Sequence, residues 1–460
     1  MNLQSSSGQI LPSQAARVLA NFVSNLQIND LEPKIIHQAT LVARDTLGVM
    51  LAGSTLPEIR KLAGWVEKTG GIGKATLMSS QKTVPAPMAA MVNATGAVSL
   101  ELDEGNQYAV NHPAVHIFPA ALAVAEEYKK TGAELVTALV AGYEVAVRVG
   151  QVTHLRGPVH PFGTHATIGT TAATARLLNL DEDQTAAALE LSAGICIASS
   201  QTAANAGASV RNLATGLTNH NGLLAPFMVK AGFTGEPGAL SIVFGQILGD
   251  SFDFETLGDD LGKVFYITRN YFKLHACSRW NHAPIEAMAT LCEKASFHID
   301  DVETITVWTY DPATRLSWNN PVNGYADKHS IPYNVAVRLV RGTNGLESYS
   351  QEAVADVDVQ KIASRVFVKE DPAYTGMLPD VRPARIELEL TDGRIMEEIV
   401  ERPTGGFDNP LPEENLVIKF HRLAGMAITD SALTALTQAV DRLPELKDLV
   451  ELSSMLQLTR

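Results

Sequence analysis

Through residue 235 of the chain, apolar positions recur at three- and four-residue steps, the spacing of helices with one buried face. SQAARVLANFVSNL opens at Ser13, a capping residue, and predicts the first helix. PKIIHQATLVARDTLGVMLAG starts at Pro33 and stops at Gly53, the favoured asymmetry of helix ends. Ile36, Leu47 and Leu51 suit its buried face, and Asp45 among them reads as a hydrogen-bonded structural carboxylate. Residues 54–84 are more polar, with a short strand expected at ATLM (75–78), and a small-residue helix follows over 85–100. Pro113 and Pro119 are expected to interrupt any helix there, and AALAVAEEYKK and ELVTALVAGYEVAVRVGQV predict two more after them. A Gly/Ala/Thr-rich helix near Thr164 or His165 and another over 181–200 continue the pattern. The density of Ala and Gly across 85–235 points to closely packed helices, not a sheet.

The period changes beyond 302. VETITVWTY and ARIELELTDGRIMEEIVER alternate, with Thr391-Asp392-Gly393 as a hairpin turn. DKHSIPYNVAVRLVRG and the helix-like QEAVADVDVQKIASRV complete a small α/β unit. After Pro403, Pro410 and Pro412 the chain returns to helix in EENLVIKFHRLAGM and SALTALTQAVDRL. The expected fold is mainly α: a large all-helical domain from 1–268 and 406–460, with a smaller inserted α+β lid domain at 269–405. A length of 460 residues agrees with two domains.

Composition narrows the partners. A net charge of −14 argues against nucleic acid and anionic membranes, yet leaves room for a locally positive pocket. Cys196, Cys277 and Cys292 form no CxxC pair, so neither a disulfide framework nor a zinc ribbon is expected, and a reducing cytoplasm fits. MNLQSSSGQILPSQAARVLANF lacks a basic stretch followed by an apolar run, so no secretory signal is expected. No apolar run reaches the ~20 residues that span a bilayer. GGIGK lacks the spacing of a phosphate loop and is set aside.

The candidate chemistry concentrates in ELDEGNQYAVNHPAVHIFP (101–119), where Glu101, Asp103 and Glu104 precede Asn111, His112 and His116. Such a turn between apolar helices is either a proton-transfer site or a solvated capping loop. His154, His160 and His165 lack ligand spacing, so no metal is expected. His160 precedes a helix N-terminus, which favours a carboxylate ligand, and suits substrate contact or acid/base work. Arg211 stands among Ala, Ser and Val and must find an anion. Lys273, His275, Cys277, Arg279 and His282 crowd together among apolar residues and read as an anion site. A Cys277 nucleophile beside His275 is a further possibility, with no orienting carboxylate nearby.

With these residues assembled, the chain resembles the MmgE/PrpD family, which includes 2-methylcitrate dehydratase, cis-aconitate decarboxylase and iminodisuccinate epimerase. The resemblance runs over nearly the whole length. It rests on DTLGVMLAG, ELDEGN, NHPAVHIFPAALAVAEE, HPFGTHATIGTTAATARLL, VRNLATGLTNHNGLLA, FKLHACSRWNHAPIEA, HSIPYNVAV and LPEENLVIKF. It implies a helical domain with an α+β lid, a homodimer, and chemistry without metal or organic cofactor. Residue by residue, it implies His112, His160, Lys273 and Tyr333 as catalytic groups, with Glu101, Asp103, Glu104 and Arg211 at the substrate. His275 and Arg279 join them from the cationic cluster. The turn departs from the family's DFDDT-like pattern and loses a Thr hydroxyl at Gly105, and Arg211 stands where Lys is common.

The leading expectation is a cofactor-independent hydro-lyase of a citrate-like or 2-methylcitrate-like di- or tricarboxylate. A cis-aconitate-type decarboxylase comes second and an epimerase or isomerase of an α-substituted dicarboxylate third; a carboxylate-binding scaffold is the non-enzyme alternative. Arg211, Lys273 and Arg279 are expected to bind the substrate's charges while His112 and His160 move protons. The acidic trio is expected to orient the histidines and raise their basicity. Replacing His112 or Lys273 is expected to remove turnover and leave the fold intact.

Overall fold

The structure, a computed structural model, describes residues 14–78, 80–319 and 322–457. The expected Ser13 cap and the reading of the first residues fall outside the described residues. The fold is mainly α. Helices α1 (Ala15–Asn25), α2 (Pro33–Ser54), α3 (Pro57–Thr69) and α4 (Ala86–Ser99) lead to the acidic turn. Helices α5 (Pro113–Glu127), α6 (Gly132–Gln151), α7 (Ala166–Leu177), α8 (Glu182–Gly194) and α9 (Val210–Lys230) follow it. In α2, Asp45 is buried and pairs with Lys419 at 2.6 Å, the structural role expected of it. No helix among the described residues is long and apolar enough to cross a membrane.

Small residues explain how closely these helices pack. A Cβ at Gly142 in α6 would lie 2.6 Å from the Gly169 carbonyl oxygen in α7, so the two backbones touch at the crossing. Between α2 and α4, a Cβ at Gly53 would come 2.0 Å from the Gly96 carbonyl oxygen. Larger side chains at either crossing would force the helices apart.

Contrary to expectation, Pro119 lies inside α5 and does not end it. Proline has no N–H for the Val115 carbonyl four residues back, a loss that ordinarily breaks a helix. Asn219 of α9 supplies the missing donor, its Nδ2 reaching that carbonyl at 3.0 Å. Its Oδ1 accepts from Ala120 N–H at 3.0 Å. The His116 carbonyl accepts from the Thr170 hydroxyl of α7. Polar side chains of two neighbouring helices thus complete α5.

A four-stranded sheet occupies the later part of the chain: β1 (Val302–Thr309), β2 (Val366–Glu370), β3 (Ala384–Leu390) and β4 (Ile395–Val400), in the order β2-β1-β3-β4. β3 and β4 form the expected hairpin, with Gly393 at φ +87° in its turn. The sequence pattern does not mark β2, which runs parallel to β1. Helix α10 (Val357–Ala363) stops earlier than QEAVADVDVQKIASRV suggests and leaves that strand room. Ala384, Ile386, Leu388 and Leu390 alternate toward the buried face, as a half-covered strand should. The helix expected over 181–200 also stops early, at Gly194, and Ser199–Ser200 instead pairs with Val159–His160. That short ladder fixes His160.

Candidate active site

The acidic turn begins at Glu101, which adopts φ +56° just beyond the end of α4. Lys328 closes that helix end by donating to the carbonyls of Leu100 at 3.0 Å and Ser99 at 3.4 Å. Gly105–Asn106 pairs antiparallel with Asn270–Tyr271, which carries the turn against the segment leading to Lys273. A Cβ at Gly105 would lie 2.3 Å from the Tyr271 hydroxyl oxygen, so a threonine has no room beside this ring.

Four charged groups meet behind the turn. Lys273, fully buried, donates to Glu101 Oε2 and Asp103 Oδ1, each at 3.1 Å. Arg211, in the first turn of α9, binds Glu101 Oε1 through Nη1, which also donates to the Tyr325 hydroxyl at 3.2 Å. Burial works to raise both carboxyls, but the neighbours outweigh it. Arg211 and Lys273 hold Glu101 well below the usual carboxylate range, and His112 and Lys273 bring Asp103 down to about 2. Two cations and two anions cancel, so Arg211 and Lys273 are already committed to protein carboxylates. Arg211 has found the anion its apolar neighbourhood required.

His112 immediately precedes α5 and sits beside this quartet. Its Nδ1 lies 2.8 Å from the Glu104 carbonyl oxygen and 2.7 Å from Asp103 Oδ2. A carbonyl can only accept, so Nδ1 carries the proton and Nε2 keeps its lone pair. Burial lowers the His112 pKa, and Asp103 opposes that by favouring the imidazolium. The Glu104 side chain plays a different part. It accepts from the Tyr143 hydroxyl and the Ala114 amide, and burial pushes its carboxyl up to about 8. It orients the helix start and is neutral near pH 7.

His160 receives the Phe162 amide at Nδ1 (3.1 Å) and faces Arg211 Nε from Nε2 (3.3 Å). Both neighbours can only donate, and a neutral imidazole has one lone-pair nitrogen, so His160 satisfies one of the two. Burial, then Arg211, keeps this ring neutral. The Phe162 ring gathers the group: the His112, His116 and His160 rings meet it near-perpendicular at 5.3, 4.7 and 4.7 Å. The Arg211 guanidinium lies 4.0 Å from the same ring centre.

His112, His160 and Arg211 open on a cavity of about 360 Å³, a size suited to a small ligand. Its lining includes five arginines (156, 211, 279, 315 and 382) against a single carboxylate, Glu101, among the described residues. Arg156 pairs with Asp250 at 3.2 Å and Arg315 with Asp311 at 3.7 Å. Arg279 and Arg382 make no ion pair among the described residues. Arg279 donates to the Thr404 and Pro403 carbonyls, each at 2.7 Å, and Arg382 to the Gln107 carbonyl at 2.8 Å. Neither is paired directly with a carboxylate, although Glu286 is near enough to favour the charged form of Arg279.

Other expected residues lie elsewhere. Asp103, Glu104 and Lys273 stand behind the cavity wall and do not line it. The Tyr333 hydroxyl donates to the Ser348 carbonyl at 2.7 Å, and this ring does not line the cavity either. His275 turns away and packs on the His282 ring at 4.9 Å. His275, His282 and Glu286 converge within 4.8 Å, as metal ligands would. Arg279 Nη1, however, lies 3.1 Å from His282 Nδ1 and can only donate, so His282 Nε2 carries a proton, and a guanidinium adjoins the cluster. That chemistry does not suit a cation. Cys277 is fully buried, and burial pushes its thiol up to about 12, which corrects the nucleophile reading.

A sequence model of the MmgE/PrpD N-terminal domain matches residues 17–247, and one of the C-terminal domain matches 275–443. The chain belongs to the MmgE/PrpD family. Among family relatives, cis-aconitate decarboxylase of Aspergillus terreus is 24% identical over 94% of both chains. The human cis-aconitate decarboxylase is 22% identical over 95% of this chain and 93% of its own. The 2-methylcitrate dehydratase of Salmonella typhimurium (strain LT2) is 29% identical over 52% of each chain.

Two cavity residues of this family member, Arg382 and His329, are not among the site residues that the sequence marks. Arg382 stands in a proline-flanked connection with no periodic pattern. His329 precedes the SIPY motif, where Ser330 caps the next helix by accepting Tyr333 N–H at 3.1 Å; a residue just before a cap is a usable pointer. Asp327, two positions earlier, is buried with neither carboxylate oxygen bonded, and burial raises it to about 7. The folded state then holds a proton that the unfolded chain releases near pH 4. The folded state binds more protons across that window, so this group makes stability fall as pH rises from about 4 to 7. Asp327→Asn is expected to raise the melting temperature at pH 8 and change it little at pH 4.5; a pH-independent effect would refute this.

Proposed function

We propose that this chain is a cofactor-independent lyase, a hydro-lyase that dehydrates a citrate-like or 2-methylcitrate-like hydroxy-polycarboxylate. The observation that carries the proposal is a cavity in which two of five lining arginines, Arg279 and Arg382, have no carboxylate paired with them, on a chain of net charge −14. Such a cavity focuses a positive field that draws in a polyanion. Arg279 and Arg382 hold the substrate carboxylates and stabilise the enolate-like charge that develops as the α-proton leaves. His112 Nε2 takes that proton, with Asp103 stabilising the imidazolium. His160, neutral and on the same cavity wall, is the hydrogen-bond partner of the departing hydroxyl. The proton on His112 then leaves with that hydroxyl as water, and both histidines return to their starting state.

His112, His160 and Arg211 come from the helical part of the chain, and Arg279, His329 and Arg382 from residues 269–405. This division supports the α+β part as a lid over the helical domain, and a homodimer belongs to the same reading. Decarboxylation of cis-aconitate is the second reading, favoured by the near full-length match to cis-aconitate decarboxylases. The same cations would then hold the charge left by loss of CO2.

Incubation with 2-methylcitrate, citrate, cis-aconitate and iminodisuccinate, followed by NMR, separates these readings. Loss of water from a hydroxy acid is expected. Loss of CO2 from cis-aconitate would favour the second reading, and binding without change would leave a carboxylate-binding scaffold. Arg382→Gln is expected to raise KM roughly tenfold or more, the worth of a charged hydrogen bond, with a smaller change in kcat. An unchanged KM would remove Arg382 from the binding set.

A further inference from the structure

We propose that His329 selects substrates bearing a hydroxyl group, its Nε2 accepting the hydrogen bond that this hydroxyl donates. The assignment rests on the cavity being a polycarboxylate site and gives that site a specificity residue.

His329 is held from both sides. Before it, Asn323 Oδ1 accepts from Tyr325 and Ala326 N–H at 3.1 and 3.0 Å, and its Nδ2 donates to the Gly207 carbonyl at 3.1 Å. After it, the Ser330 hydroxyl donates to the Trp318 carbonyl at 2.6 Å while capping the next helix. The ring packs against Tyr325, with centroids 5.3 Å apart. Its backbone and ring plane are fixed before any ligand arrives.

The tautomer follows from one contact. His329 Nδ1 lies 3.1 Å from the Tyr325 carbonyl oxygen, which can only accept, so Nδ1 carries the proton. Nε2 is then a lone-pair nitrogen. It is buried without a hydrogen-bond partner, and the residue lines the cavity. Glu101 Oε1 stands 3.9 Å from Nε2, too far for a hydrogen bond and itself an acceptor bound to Arg211. Burial holds the imidazole neutral, at about 4, despite that carboxylate.

The rest of the lining offers mainly donors. Arginines satisfy carboxylates, but a fully ionised unsaturated polycarboxylate has no donor for His329. A hydroxy acid has one, its O–H. Arg211 lies between the two imidazoles: Nη1 binds Glu101 Oε1 beside His329, and Nε donates to His160 Nε2 at 3.3 Å. A substrate hydroxyl in this cavity can donate to His329. A ligand without it leaves a buried acceptor unpaired, which sites of this kind reject.

The test compares citrate with tricarballylate, which carries the same three carboxylates and no hydroxyl, by calorimetric titration of the full chain. The wild type is expected to bind citrate at least roughly tenfold more tightly. His329→Phe should abolish this preference without weakening tricarballylate, and His329→Gln, which keeps an acceptor, should restore part of it. Thermal melts establish that each variant is folded, and the glutamine variant stands as a test if the phenylalanine one is not. Equal wild-type affinities, or a preference undiminished in both variants, would overturn the inference while leaving the lyase reading intact if a hydroxy acid is still dehydrated. Failure of both ligands to bind would overturn both readings.

Discussion

Lys273→Met is expected to lower unfolding free energy by about 3–5 kcal/mol, the cost of leaving a buried ion pair without one partner. Lys273 is wholly buried between Glu101 and Asp103, and Arg211 balances only part of their charge. Methionine fills similar space but leaves Asp103 without its cation. Urea denaturation at pH 7 measures the loss, and adding Asp103→Asn should recover part of it. A loss below about 1 kcal/mol would mean that the quartet does not hold the site together. The expectation from sequence that such a variant keeps its fold intact is thereby revised: activity and stability should fall together.

His112→Asn is expected to separate them. The asparagine amide can still donate to the Glu104 carbonyl, so stability should change little, while the lone pair facing the cavity is lost. Turnover should drop by about 10²–10⁴-fold, the usual contribution of a general base. Wild-type kcat in a folded variant would remove His112 from the mechanism. Burial lowers the His112 pKa, so the base form should persist below the ordinary histidine range. The acid limb of the kcat/KM profile should accordingly lie below about pH 6.5, the ordinary value for histidine.

Local signals in the sequence are legible where local chemistry decides the outcome. Pro33 opens α2, Gly393 turns the hairpin, and the Ala/Gly density reports crossings such as Gly142 on Gly169. The family resemblance points to His112, His160 and Arg211, which do share one cavity. What stays hidden depends on partners distant in the chain. Arg211 and Lys273 look like substrate cations because Glu101 and Asp103 lie 110 and 170 residues away from them respectively. Nothing near Tyr333 in sequence announces the Ser348 carbonyl that takes its hydroxyl. That Arg279 and Arg382 bind carbonyls and not carboxylates is visible only in the structure.

The completed break at Pro119 bears on the order in which the molecule assembles. The bonds that finish α5 come from Thr170 and Asn219, with Asn219 lying 104 residues beyond the Val115 carbonyl it satisfies. As the chain emerges from a ribosome, the helix that carries His112 stays incomplete until α9 has been made. Closing so long a loop is slow, and its entropy is recovered only when all three helices meet. The cavity wall that carries His112 is thus a late product of folding, and it forms together with the wall that carries Arg211.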